Sequence, residues 1–229
     1  MKQKMVVLSG AGISAESGIK TFRDSGGLWE GHDVMEVASP QGWARNPELV
    51  LDFYNQRRKQ ARNCKPNGAH HALVELEREF DVHIITQNVD NLHEKAGSSK
   101  VLHLHGELFK AQSSLDPKLI YDLSIIDINL GDKCERGSQL RPNVVWFGEP
   151  VFAMDPAIEI TRKADLFLVI GTSLQVYPAA SLIDFVPKSK PIYLIDPQPI
   201  TTYNRQNVIQ IQDKAVNGME RFKSILNKR

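Results

Sequence analysis

The chain has 229 residues, 41% hydrophobic and 24% charged, with a formal net charge of +1; these are the values of a globular protein built as one large domain or a domain with a smaller lobe. With no long single-sign run, a nucleic-acid or membrane-surface role has no electrostatic support, and the short basic cluster RRKQAR (57–62) reads first as a solvated helix face. Cys64 and Cys134 make no disulfide framework, the N-terminal apolar run is too short for a signal peptide, and no stretch approaches the ~18 apolar residues of a membrane span, so a cytoplasmic protein is expected.

The first predicted strand, MVVLSGA (5–11), runs into GAGISAESG, where Gly10, Gly12 and Ala15 give G-x-G-x-x-A between a strand and a helical stretch. Glycines there let the backbone turn tightly and approach a pyrophosphate, although a glycine-rich turn without a ligand has the same spelling. TFRDSGGLW (21–29) follows where an acidic ribose-binding residue would be expected, and reads as a loop closing over a ligand or as a plain surface loop. Residues 26–65 hold no strand run but at least one helix, NPELVLDFYNQRRKQ, opened by Asn46 and Pro47. In it Val50, Phe53, Tyr54 and Arg57 fall at i, i+3, i+4, i+7, which places Arg57 on the apolar stripe and Arg58 outside. A cation on an inward stripe has an internal carboxylate, snorkels to solvent, or meets a carboxylate on a substrate with help from the Tyr54 hydroxyl.

A helix over 69–80 carries Ala72, Leu73, Leu76 and Phe80 on one stripe, and the strand VHIIT (82–86) follows. Just beyond its end stand Gln87, Asn88, Asp90 and Asn91, either polar contacts for a cofactor or an Asx-rich turn capping a helix that ends at Gly97. VLHLHGEL (101–108), with a strand predicted over 101–104, puts His103 and His105 two apart, hence on one strand face if the strand runs on: half of a metal site, a catalytic base beside a packed neighbour, or two core histidines. Residues 109–142 are polar and irregular; strands are predicted at 143–147, 166–172, 191–196 and 208–212, and helices at 155–164, 178–186 and 216–228. The strand at 166–172 ends in Gly171, Thr172 and Ser173, which offers backbone N–H groups and two hydroxyls at a ligand-binding sheet edge, or a helix cap. The alternation argues for a mostly parallel α/β sheet, with a second lobe from two insertions and a cleft between.

Taken together, GAGISAESGIKTFRDSGGLW, TQNVDNLHEKAG, HLHGEL, VVWFGE and GTSLQVYPAA resemble, in order and from about residue 5 to 217, the sirtuins, NAD-dependent protein-lysine deacylases. The resemblance implies a Rossmann-like part with helices on both faces over 1–25, 66–108 and 143–229, and a small lobe over 26–65 and 109–142. It implies an NAD loop at Gly10, Ala11, Gly12, Glu16, Phe22 and Arg23, and a nicotinamide-side pocket at Gln87, Asn88 and Asp90. It also implies phosphate and ribose contacts at Gly171, Thr172 and Ser173, an adenine contact at Ala215, and acyl-lysine contacts at Val145, Phe147 and Gly148. Where many relatives carry an Asn near the adenine ribose this chain has Leu194, so Asp196 is the candidate for that contact. Tyr54 and Arg57 resemble the bacterial desuccinylase and demalonylase subgroup, and the small Ala38 leaves room for a longer acyl chain.

The family's usual zinc module needs two cysteine pairs, whereas 109–142 holds Cys134 alone. A zinc-free lobe is expected, resting on Leu119, Ile120, Leu123, Ile125, Ile126 and Ile128. In the chemistry the family implies, the acyl oxygen displaces nicotinamide from the ribose, a base takes a ribose hydroxyl proton directly or by relay, and the acyl group ends on ADP-ribose. His105 is the aligned base, with His103 as its packed or hydrogen-bonded supporter, and Asn88 and Asp90 complete the catalytic set. Succinyl and malonyl groups are the first expected substrates, then acetyl, on protein lysines, for a monomer. The alternatives are a protein mono-ADP-ribosyltransferase with the same NAD pocket, and a non-catalytic NAD-sensing module.

Overall fold

The computed structural model describes residues 2–19, 28–29, 31–123, 127–201 and 207–227. Phe22 and Arg23 of the expected NAD loop, and Ile125 and Ile126 of the expected small-lobe core, lie outside them. In chain order the elements are β1 (Lys4–Ser9), α1 (Gly12–Ala15), β2 (Leu28–Trp29), β3 (His32–Asp33), α2 (Val34–Val37), α3 (Pro40–Arg45), α4 (Pro47–Asn63) and α5 (Gly68–Leu76). Then follow β4 (Asp81–Thr86), α6 (Leu92–Ala96), β5 (Val101–His103), β6 (Gly106–Ser113), β7 (Ile120–Asp122), β8 (Leu140–Val144) and α7 (Met154–Arg162). β9 (Leu166–Ile170), a 3-10 helix (Ala179–Phe185), β10 (Ile192–Ile195), β11 (Val208–Ile211) and α8 (Ala215–Leu226) complete the series.

Six strands form one parallel sheet in the order β11-β10-β9-β1-β4-β5. Its central strands read apolar on both faces because both faces are covered. On one side Met5, Val7, Ile84 and Leu168 pack against Leu73 of α5 and Met219 and Phe222 of α8. On the other, Val6, Leu8, Phe167 and Val169 meet Ala157 of α7 and Leu182 of the 3-10 helix. The fold is thus α/β and Rossmann-like, with helices on both faces.

The segment read as irregular, 109–142, contains most of a second sheet, three antiparallel strands in the order β7-β6-β8. The strand expected at 143–147 is therefore displaced: it spans Leu140–Val144 and pairs with β6, not with the parallel sheet. An apolar run identifies a buried strand but not its partner, and here the partner follows β5 after two residues. α4 covers this sheet, with Val50, Phe53 and Tyr54 packed on Leu108, Val144 and Trp146, and Leu51 on Ala111, Leu123 and Ile128. Of the apolar set expected to hold this lobe, Leu123 and Ile128 are buried, whereas Ile120 is 49% exposed.

The two sheets join at Gly106. Its φ is +82°, and a Cβ there would lie 2.1 Å from the Asn143 carbonyl oxygen. Both the left-handed backbone and the contact with main chain exclude a side chain. Gly106→Ala is expected to lower stability by at least about 2 kcal/mol, since strain in the left-handed region adds to a clash that no side-chain rotation relieves. Urea unfolding checks this: the midpoint should drop with an unchanged slope, and an unchanged midpoint would refute it.

Candidate active site

The strand order reverses between β1 and β9, and ligands of open α/β sheets bind beyond the carboxyl ends of the strands at such a point. Here Gly10 N–H donates to Ile170 O at 3.0 Å and Gly12 N–H to Gly171 O at 2.8 Å. A Cβ on Gly12 would sit 2.7 Å from the Gly171 Cα, and Gly171 has φ +65°. The sheet edge is therefore bare main chain, which suits a pyrophosphate. Gly10, Ala11, Gly12, Gly171, Thr172 and Ser173 all line a cleft of about 1120 Å³.

Asp196, just after β10, lines the same cleft; it is 8% exposed and accepts a hydrogen bond from Gln198 N at 2.9 Å. Leu194, two residues earlier, stays in the sheet core. Ala215 opens α8 in the cleft wall, and Glu16 Oε2 accepts from Val216 N in the same first turn at 2.9 Å. The carboxylate thus satisfies a backbone donor that the helix cannot.

Beyond β4, Gln87, Asn88 and Asp90 line the cleft as well. Gln87 Nε2 donates to Thr172 Oγ1 at 3.1 Å, tying the two strand ends together. Asn88 Nδ2 donates to Gly10 O and to Ser14 Oγ, each at 3.2 Å. Ser14 Oγ in turn donates to Asp90 Oδ2 at 3.1 Å, and Leu92 N–H donates to Asp90 Oδ1 at 3.0 Å. Burial raises the Asp90 carboxyl above its ordinary range, and these hydrogen bonds only partly offset it. Behind them Ser9 Oγ bonds Thr86 Oγ1 and His93 Nε2, both at 2.9 Å, and burial pushes His93 down to about 3, so that it stays neutral. Ser14, Ser9 and His93 carried no sequence signal: a hydroxyl in a first helical turn or a strand has no periodicity to betray its partner.

The histidines of VLHLHGEL separate by what meets their Nε2 atoms. His103 Nδ1 faces Asn88 O at 2.9 Å and its Nε2 faces Glu94 Oε1 at 2.8 Å. Two acceptors favour the imidazolium; burial opposes it, but the Glu94 carboxylate prevails and the pKa is raised. His105 Nδ1 faces Gln87 O at 3.1 Å, which makes Nδ1 the protonated nitrogen and leaves Nε2 with its lone pair in the cleft wall. Burial lowers the His105 pKa, against the smaller opposing effect of the Gln87 carbonyl.

The opposite wall comes from α4 and the segment after β8. Asn46 caps α4 by accepting from Leu49 N at 3.1 Å, with Pro47 at its first position. Tyr54 and Arg57 line the cleft, and the Arg57 guanidinium stands 5.6 Å from the Phe53 ring centre. Arg58, expected outside, is fully buried instead; it donates to Leu108 O at 3.4 Å and to Asn55 Oδ1. The cause is that α4 is covered on two sides, by the cleft wall and by the small sheet, so its buried face is wider than one stripe. Ala38 is buried in the cleft wall, and its carbonyl accepts from Phe147 N at 2.9 Å. Val145 N–H donates to His105 O at 2.9 Å; Val145, Phe147 and Gly148 run along the cleft mouth.

Among the described residues no group of three or more His, Cys, Asp or Glu side chains could hold a metal ion. Cys134 is buried, with Sγ 3.1 Å from Ser138 Oγ. Among them, too, no helix is long and apolar enough to cross a membrane.

This geometry has known counterparts. The Sir2 family profile matches residues 10–178. The chain is 58% identical over 218 residues to an NAD-dependent protein deacylase of Helicobacter pylori, covering 95% of each. It is 50% identical over 229 residues to an NAD-dependent protein deacylase of Bacteroides thetaiotaomicron, covering 98% of each. Among solved structures, the ADP ribose complex of a mutant Sir2 homologue matches with a TM-score of 0.89 at 39% identity, over 99% of this chain and 93% of the other. A Sir2 homologue in complex with NAD matches with a TM-score of 0.87 at 40% identity, over 99% and 90%. By sequence and by fold alike, the chain belongs to the Sir2 family.

Proposed function

We propose that the chain removes succinyl, malonyl and also acetyl groups from protein lysines in an NAD-dependent reaction that releases nicotinamide and O-acyl-ADP-ribose. The observation that carries this reading is one cleft that joins the bare main chain of Gly10, Gly12 and Gly171, the oriented imidazole of His105 and the Tyr54–Arg57 wall. The curated relatives are named NAD-dependent protein deacylases, which supports the coarser part. The acyl preference rests on Tyr54 and Arg57.

Bound NAD supplies the nicotinamide leaving group and the ribose that receives the acyl group. Gly10, Ala11, Gly12, Gly171, Thr172 and Ser173 hold its phosphates and ribose, Asp196 the adenine ribose, and Ala215 the adenine. Asn88 and Asp90, locked to each other through Ser14, order the nicotinamide side together with Gln87. His105 Nε2 accepts the ribose hydroxyl proton, because Nδ1 already serves the Gln87 carbonyl. Val145, Phe147 and Gly148 hold the lysine and its backbone, Ala38 leaves room for the acyl chain, and Arg57 with the Tyr54 hydroxyl binds its carboxylate. The remaining parts of the reading are a zinc-free small lobe over 26–65 and 109–142, a cytoplasmic monomer and no nucleic-acid partner.

Turnover of acetyl-, succinyl- and malonyl-lysine peptides with labelled NAD tests the reading. Label in acyl-ADP-ribose supports it, and stable label on protein would replace it with mono-ADP-ribosyl transfer. His105→Tyr is expected to reduce deacylation by about 10²-fold or more, the scale of general-base catalysis, whereas His103→Gln should mainly lower thermal stability. Because burial holds the His105 imidazole below the ordinary 6.5, its neutral, proton-accepting form persists as pH falls past that value. The acid limb of kcat/KM should therefore bend below pH 6.5, and an inflection above it would remove His105 as the base. Arg57→Met and Tyr54→Phe should lower succinyl-lysine turnover by about ten-fold or more, as expected for a lost charge-assisted hydrogen bond, with acetyl-lysine turnover nearly unchanged. Equal loss on both peptides would refute the carboxylate pocket.

A further inference from the structure

We propose that Trp146 is a positioning residue for acyl selection: its indole N–H holds the Tyr54 hydroxyl in the orientation that meets a carboxylate on the acyl group. The inference rests on the reading of Tyr54 and Arg57 given above.

Trp146 Nε1 donates to Tyr54 Oη at 3.1 Å. An indole N–H only donates, so Tyr54 is the acceptor in this contact and its own proton is directed away from the indole. The tyrosine ring is fully buried, held edge-on to Phe53 at 5.1 Å between centres, so the hydroxyl has few other settings. Burial raises the Tyr54 pKa, which keeps the group a phenol that donates to a carboxylate instead of a phenolate that repels it.

The indole is itself clamped. The Trp146 backbone N–H donates to Glu149 Oε2 at 2.8 Å, and the Arg141 guanidinium lies over the indole at 3.5 Å from the ring centre. Arg141 pairs with both carboxylate oxygens of Glu149, at 2.6 and 2.9 Å, and donates to Val144 O at 2.9 Å. Trp43 packs on the ring with centres 5.7 Å apart. A purely structural filler needs none of this polar hardware. The cluster around the pair is otherwise Val37, Val50, Phe53, Leu108 and Val144, where two apolar rings would avoid the desolvation of an N–H and a hydroxyl. Both members of the pair line the cleft beside Arg57.

The test is steady-state kinetics with NAD and acetyl- or succinyl-lysine peptides for the wild type, Trp146→Phe, Tyr54→Phe, Arg57→Met and the Trp146→Phe/Tyr54→Phe double variant. Trp146→Phe is expected to raise KM for the succinyl peptide about five-fold, the worth of one hydrogen bond, with kcat and all acetyl kinetics nearly unchanged. In the Tyr54→Phe background the same substitution should add nothing, because the hydroxyl it positions is gone. Equal losses on both peptides, no loss on succinyl, or additive losses in the double variant would overturn the inference. If Tyr54→Phe and Arg57→Met discriminate but Trp146→Phe does not, this inference alone falls. If those two do not discriminate, the carboxylate pocket falls and takes the inference with it. Should Trp146→Phe fail to fold, 3-benzothienylalanine at position 146 keeps the indole shape with sulfur in place of the N–H, and carries the same expectation.

Discussion

The parallel sheet hands over to the antiparallel one across Leu104 and His105, and the geometry of the cleft depends on that junction. Leu104 N–H still bonds to β4 through Thr86 O, at 2.9 Å. One residue later the His105 carbonyl accepts from Val145 on the far side of the cleft. Gly106 then lets the chain reverse its allegiance in a left-handed turn pressed against Asn143. His105 is therefore tied at its backbone to the segment after β8 and at its Nδ1 to Gln87, which follows the large sheet. A ring held from both sides of the cleft is fixed in direction, which is the pre-organisation that the proposed proton transfer needs.

The same economy holds at the other end. The close approach of Gly12 to Gly171 fixes how the ends of β1 and β9 meet, and the polar network radiates from there. Asn88 reaches back to the Gly10 carbonyl, Ser14 joins Asn88 to Asp90, and Gln87 reaches Thr172. Gln87 and Asn88 bond to groups that also line the cleft, and Asp90 is held by Ser14 and Leu92 behind it, so packing and the shape of the cleft make the same demand on the sequence. Glu16 extends the demand to α8 by satisfying its first turn 200 residues away.

Features carried by local spacing were legible in the sequence. The parallel strands, the glycine turns after β1 and β9, the amide cluster after β4 and the cap of α4 all follow from periodicity or from turn chemistry. Features set by tertiary partners were not. The run at 143–147 reads the same whether its neighbour is β6 or a strand of the main sheet, and only the three-dimensional arrangement selects β6. Arg57 and Arg58 differ by one position, and a stripe drawn from a single face leaves Arg58 outside, although α4 is covered on two sides and buries it fully. Trp146 was visible as part of VVWFGE, but its N–H meets a hydroxyl 92 residues away, a distance no pattern spans.

His103 and His105 show how little separates support from chemistry. Both imidazoles point Nδ1 at the carbonyl of a neighbouring residue after β4, Asn88 for one and Gln87 for the other. The backbone thus imposes one tautomer on both, and the outcome is decided at Nε2. Glu94 claims that atom in His103 and, against the opposing effect of burial, raises its pKa, which favours a charged ring with no lone pair to offer. Nothing among the described residues claims it in His105, burial lowers the pKa, and the lone pair stays available near neutral pH. In the proposed mechanism, a carboxylate placed beside His105 Nε2 in the same way would raise its pKa and occupy the lone pair that must accept the proton.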